Sequence, residues 1–130
     1  MLSQAPRRAR WTALLLAIYW LLLTTATHLP IPRLPRGMND KLLHFLAFGG
    51  LGFLAAATWA QFRPAGKRNW GGLLTAVAVY GIIDELLQIP VGRSADIADW
   101  YADLIGATLG IAVWQFLELV FSKREDSATL

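Results

Sequence analysis

The sequence predicts an all-α protein, a membrane-spanning four-helix bundle, and three observations carry that prediction. The first is composition: of 130 residues, 55% are hydrophobic and 16% charged, with a mean hydropathy of +0.43. Soluble domains carry about 25% charged residues. The second is distribution. The apolar residues fall into four blocks, each near the roughly 20 residues that cross a hydrocarbon core of about 30 Å at 1.5 Å per residue. The third is charge placement, because the basic residues cluster beside the blocks and not within them. A nucleic-acid partner is not expected, since such binders usually carry a basic stripe on a folded face. There is no cysteine, which excludes disulfides and thiolate chemistry.

The blocks define one unit. Residues 1–10 read as a basic cytoplasmic N-terminal tail, 11–121 as a four-helix membrane domain, and 122–130 as a cytoplasmic C-terminal tail. The first span, residues 11–27, carries no charge and follows Arg7, Arg8 and Arg10. No small-x-small cleavage site follows it, so it reads as an uncleaved helix and not as a signal peptide. The second span, residues 42–60, holds one ionisable residue, His44. The third, residues 70–87, ends with Asp84 and Glu85. The fourth, residues 101–121, has Glu118 near its end.

Orientation follows from Lys and Arg, which are enriched on the cytoplasmic side. With the N-terminus inside, that side carries Arg7, Arg8, Arg10, Arg63, Lys67, Arg68, Lys123 and Arg124. The outer side carries Arg33, Arg36, Lys41 and Arg93. The expectation is a multi-pass protein of a bacterial cytoplasmic (inner) membrane with both termini cytoplasmic. Trp59 and Trp70 then sit at the inner interface, and Trp100 and Tyr101 at the outer one, depths that aromatics favour.

This topology gathers Asp40, Asp84, Glu85, Asp96, Asp99 and Asp103 at the outer side, six of the chain's nine acids. Asn39 or Asp40 is placed to cap the second helix. Asp40 and His44, four apart, share a helix face, so Asp40 could orient the imidazole. Asp84 and Glu85 point about 100° apart. One of them could face the bundle and the other the headgroups. Both oppose the dipole at a helix C-terminus, which calls for a cationic partner such as Lys41 or Arg93. Gln88 lies four residues after Asp84 and three after Glu85. Asp96, Asp99 and Asp103 form one helical stripe that would repel itself without a cation, an arginine or a ligand among them. Gly106 and Gly110 continue the stripe with a small-xxx-small spacing suited to close helix packing.

Three blocks in this order resemble the VanZ-like family of small integral membrane proteins. They are Asp40-Lys41-Leu42-Leu43-His44-Phe45, then Glu85-Leu86-Leu87-Gln88 with the turn Pro90-Val91-Gly92-Arg93, then Asp99 through Gly106. The resemblance covers about residues 38–112. It departs from the family pattern at Val91, inserted between Pro90 and Gly92, and at Asp103, where the family usually has asparagine. The resemblance implies a membrane protein of the cell envelope, with some members linked to resistance to glycopeptides such as teicoplanin. It brings no established catalytic residues.

The leading expectation is a binding protein. Asp40, Lys41, His44, Glu85, Gln88, Arg93, Asp99 and Asp103 would form an outward-facing polar site for a lipid headgroup or a lipid-linked cell-wall precursor. Lys41 and Arg93 would meet phosphate. The acids would meet amines, hydroxyls or a metal. No cofactor is required, although His44, Glu85 and Asp99 are candidate ligands for a divalent metal. The second expectation is a metal-dependent membrane enzyme acting on a lipid or lipid phosphate, with His44 as base or ligand. Neither G-x-S-x-G nor H-E-x-x-H occurs. A third is that the polar groups only hold the helices in register.

Overall fold

The computed structural model describes residues 7–29, 39–92 and 95–128. Within them lie four long helices: α1 (Arg7–His28), α2 (Asp40–Phe62), α3 (Trp70–Gln88) and α4 (Ile97–Ala128). No strand occurs among the described residues. All four helices are long and apolar enough to cross a membrane. Residues 7–10, expected in the N-terminal tail, form the first turn of α1. Residues 122–128, expected in the C-terminal tail, continue α4.

The surface supports the same reading. Leu14, Leu15, Leu22, Leu46, Leu86 and Phe116 lie exposed on the outside of the bundle, while six polar or ionisable residues are buried within it. That inverts the soluble pattern and suits a lipid surround, in which only apolar side chains can face outward without penalty.

Local chemistry sets the helix ends. Asn69 caps α3, its Oδ1 accepting the Gly72 N–H at 2.8 Å. The start of α2 lacks such a cap: Asn39 occupies the N-cap position without a side-chain hydrogen bond. A 3-10 turn, Ala65–Lys67, joins α2 to α3. Arg68 closes that hairpin. Its Nε donates to Arg63 O at 2.9 Å and its Nη2 to Ala60 O at 3.1 Å, satisfying carbonyls that the end of α2 leaves free. Its Nη1 pairs with Glu118 of α4. After α3, Pro90 lies in a 3-10 turn, and Gly92 takes the left-handed φ of 83° that ends it.

The α2–α4 seam is the most extensive contact in the bundle. Its glycines explain why. A Cβ on Gly106 would strike the Phe45 carbonyl oxygen, and one on Gly110 would strike that of Gly49. The backbones therefore approach as closely as small-residue packing allows. Phe48 sits at the centre of the remaining core with Leu23, Leu51, Val77 and Ala107, and stacks on Tyr80 at 5.7 Å between ring centroids. Dispersion at this density is the main attraction available where lipid tails are as apolar as leucine.

Candidate functional site

The seam also assembles the polar end of the molecule. Asp103 lies one turn before Gly106, and His44 immediately precedes Phe45. The close approach at Gly106 therefore sets Asp103 against His44, with Asp103 Oδ1 3.0 Å from His44 Nδ1. The carboxylate on the Nδ1 side of the imidazole is thus Asp103, from the facing helix. With Asp103 ionised, its carboxylate only accepts, and the Nδ1 proton then belongs to His44.

Glu85 comes in from the last turn of α3. Its Oε2 accepts the Asp96 backbone N–H at 2.9 Å, fastening the end of α3 to the start of α4. Its Oε1 lies 3.8 Å from His44 Nδ1. That oxygen and Asp103 Oδ2 have no hydrogen-bond partner among the described residues. His44 is 5% exposed, Glu85 5% and Asp103 1%, so water does not readily compensate them.

Asp96 serves as the cap of α4. Its Oδ1 accepts from Ala98 N–H at 2.8 Å, and its carbonyl oxygen from Trp100 N–H at 3.2 Å. Lys41 reaches across from α2 to Asp96 Oδ2 at 3.0 Å and Asp99 Oδ1 at 3.1 Å. The bond from Ala98 N–H, and then Lys41, hold the Asp96 carboxyl below the usual aspartate range. The cationic partner expected for Asp84 and Glu85 is therefore not Lys41, which is engaged by Asp96 and Asp99. Arg93, the other expected partner, lies outside the described residues.

Asp84 and Glu85 both turn inward. Asp84, 1% exposed, accepts from Gln88 Nε2 at 3.0 Å, Thr27 Oγ1 at 3.1 Å and Tyr80 OH at 3.3 Å. His28 Nδ1 lies 3.8 Å away. That nitrogen is 2.8 Å from Thr24 O, and Tyr80 OH is 2.8 Å from Thr24 Oγ1. The last turn of α1 thus completes the cluster with Thr24, Thr27 and His28, which spacing within single helices did not single out. Topology held the signal: the first span must deliver its last turn to the same membrane face as His44.

Of the residues expected from the sequence, Lys41, His44, Glu85, Gln88, Asp99 and Asp103 all meet at this end of the bundle. Asp40, half-buried, brings a carboxylate oxygen within 4.8 Å of ligand atoms on His44 and Asp99. Asp99 itself is 6% exposed. Beside Glu85, a cleft of about 390 Å³ opens between α3 and α4, lined by Ile82, Leu86, Asp96, Ile97 and Trp100. Trp100 is fixed there by its Nε1 bond to Ala78 O at 3.0 Å. The arrangement can accept hydrogen bonds, hold positive charge and move a proton at His44 Nδ1, next to an apolar-walled space.

No curated protein and no solved structure matches the chain. A family model described as VanZ/LLP1 matches residues 10–118, a stretch that takes in α2 and α3, most of α1 and α4, and every described residue of the polar end. The chain is therefore a multi-pass membrane protein of the VanZ/LLP1 family.

Proposed function

We propose that this protein binds the headgroup of an envelope lipid, or of a lipid-linked cell-wall precursor, at its polar end. That end would face the outside of a bacterial cytoplasmic membrane, as the excess of Lys and Arg at the opposite ends of the helices argues. The observation that carries the reading is the pair of buried carboxylate oxygens of Glu85 and Asp103 that have no hydrogen-bond partner among the described residues, with Glu85 lining a cleft whose other walls are largely apolar. Polar groups in a spanning bundle are expensive and usually mark function. Acids in this position accept from ammonium or hydroxyl groups, while the cleft takes the methylene groups below a headgroup. Lys41 is already held by Asp96 and Asp99, so direct contact with phosphate falls to Arg93. A contribution to glycopeptide tolerance belongs to the same proposal, through the precursor that such drugs recognise.

The test is native mass spectrometry of protein released from its own membranes, for the wild type and for Glu85→Gln and Asp103→Asn. A lipid adduct of defined mass is expected on the wild type and lost from both variants. The same adducts on all three proteins, or none on the wild type, would sink the proposal. The His44–Asp103 contact favours one second reading, a metal-dependent enzyme acting on lipid phosphate. Turnover of a phosphate-bearing lipid by purified protein, abolished by His44→Ala, would put it first.

A further inference from the structure

We propose that His44, Glu85 and Asp103 bind a divalent transition-metal ion. The inference deepens the binding reading, since it concerns the same end of the molecule, but it stands on its own geometry. One ligand atom from each residue falls within 4.8 Å of the other two, and all three side chains are buried. His44 Nδ1 is 3.0 Å from Asp103 Oδ1 and 3.8 Å from Glu85 Oε1. Ligands around a tetrahedral ion with bonds of about 2.0–2.2 Å stand roughly 3.3–3.6 Å apart. The observed separations bracket that value, so small side-chain rotations would close the set.

An unpartnered atom points the same way. Glu85 Oε1 has no hydrogen-bond partner among the described residues and is also the oxygen that faces the imidazole. Asp103 Oδ2, equally buried and also without a partner among the described residues, lies on the Gly81 side of the carboxylate whose Oδ1 faces His44, so the Glu85 oxygen alone carries this point. Charge gives a third reason. Asp84, Glu85, Asp99 and Asp103 are each at most 6% exposed. Lys41, the lysine that reaches this cluster, is taken by Asp96 and Asp99. Burying like charges together is unfavourable unless something positive sits among them. Two carboxylates and one imidazole suit Zn²⁺ or Mn²⁺ better than Ca²⁺, which prefers more oxygen ligands.

A second triad, Asp40, His44 and Asp99, shares the histidine. It is the poorer candidate because Asp99 is already committed to Lys41. At the inner triad the ion would replace the His44 Nδ1 proton, so binding would release a proton. Glu85 also lines the α3–α4 cleft, so an ion here would lie beside the space proposed for the headgroup. It would attract a lipid phosphate that the acids alone would repel.

The experiment is titration of chelator-treated, detergent-purified protein with Zn²⁺ and, separately, Mn²⁺, following heat and proton release. Elemental analysis of untreated protein accompanies it. The expected result is one ion per chain, with a proton released, and affinity reduced at least about tenfold in Glu85→Gln and Asp103→Asn. Both variants are close in shape to the wild type, and circular dichroism and thermal melts confirm that they fold. Glu118→Gln, at the far end of the bundle, should bind as the wild type does. No saturable binding, or binding unchanged in the two variants, would overturn the site. Lipid adducts measured on the same samples, with and without chelator, separate this inference from the binding reading. An ion without lipid leaves the metal site standing and removes the headgroup. Lipid on a protein that takes no ion does the reverse.

Discussion

The two ends of the bundle solve the same problem in opposite ways. At one end Glu118 meets Arg68, whose guanidinium also satisfies two backbone carbonyls and lies over the Trp70 ring at 5.8 Å. One acid is matched by one cation, and the cation's donors are used to close a hairpin. At the other end four acids are buried near His44, one lysine is shared by two carboxylates, and two carboxylate oxygens have no hydrogen-bond partner among the described residues. At the first end the charges match, although the Trp59 and Trp114 indole N–H groups have no hydrogen-bond partner among the described residues. At the second, the described residues leave an excess of buried acids, which on our proposal a positive or proton-donating ligand would meet. The contrast between the two ends is thus one of charge balance: acid and cation match at the first, while at the second the buried acids outnumber the cations among the described residues.

The largest expected effect comes from the seam on which both ends depend. Gly110→Leu would drive a side chain into the Gly49 carbonyl and the Phe53 backbone, and α2 and α4 would have to part. Overpacking of this kind costs about 1–3 kcal/mol in soluble cores and more where backbone must move. The expected outcome is a marked drop in the detergent melting temperature or failure to accumulate in membranes. Gly106→Ala is the sharper probe, because its Cβ meets the Phe45 carbonyl next to His44. It should weaken ligand binding as well as stability. A Gly106→Ala protein with an unchanged melt would mean that the helices are not packed backbone to backbone here.

Exchanging the acids for amides at the two ends tests the contrast itself. Glu118→Gln should lower stability by about 1–2 kcal/mol, the scale of a hydrogen bond to a charged group discounted for partial exposure, and leave lipid and metal binding intact. Asp103→Asn should do the opposite. It removes one charge from a crowded set, so stability should change by less than about 1 kcal/mol while binding is lost. If Asp103→Asn unfolds the protein and Glu118→Gln does nothing, the structural roles of the two ends are reversed.

The fold was legible because lipid imposes a length and a composition on each span, and four apolar blocks met both. Membership of one helix stripe was legible too, as with Asp99 and Asp103. What spacing could not supply was the partner across a helix interface. His44 has an acid four residues before it, yet its imidazole is held by Asp103, 59 residues later in the chain. Lys41 pairs with Asp96 and Asp99 instead of Glu85. These choices are made by the rotation of α2 against α4, which the glycines set. The contribution of α1 was hidden for a related reason. Thr24, Thr27 and His28 are unremarkable along their own helix and gain meaning only from the Asp84 they approach.

A smaller effect is expected at Lys41, whose side chain is half exposed. Lys41→Ala should lower stability only slightly, because an exposed ion pair contributes little. It would also leave Asp99 without its cation and so raise affinity for a divalent ion nearby. If the pair is purely structural, exchanging the charges as Lys41→Asp with Asp99→Lys should restore the wild-type melt and leave ligand binding unchanged. Restored stability with lost binding would assign Asp99 to the site.

The smallest effect should appear at Asp96, and its sign is fixed. The Ala98 N–H and Lys41 lower its pKa from the usual 3.8, so the folded state holds the charged form more firmly than the unfolded state does. The stabilisation is fully present above the unfolded value and is lost as pH falls through the lower, folded one. Asp96→Asn keeps an N-cap side chain but not the charge. Its melting temperature should therefore lie slightly below that of the wild type at pH 6, and the two curves should converge in strong acid. Because both Lys41 and Asp96 are about half exposed, added salt should shrink the gap at pH 6. A gap that persists in acid and ignores salt would show that Asp96 acts through the shape of its cap and through Glu85, with its charge playing no part.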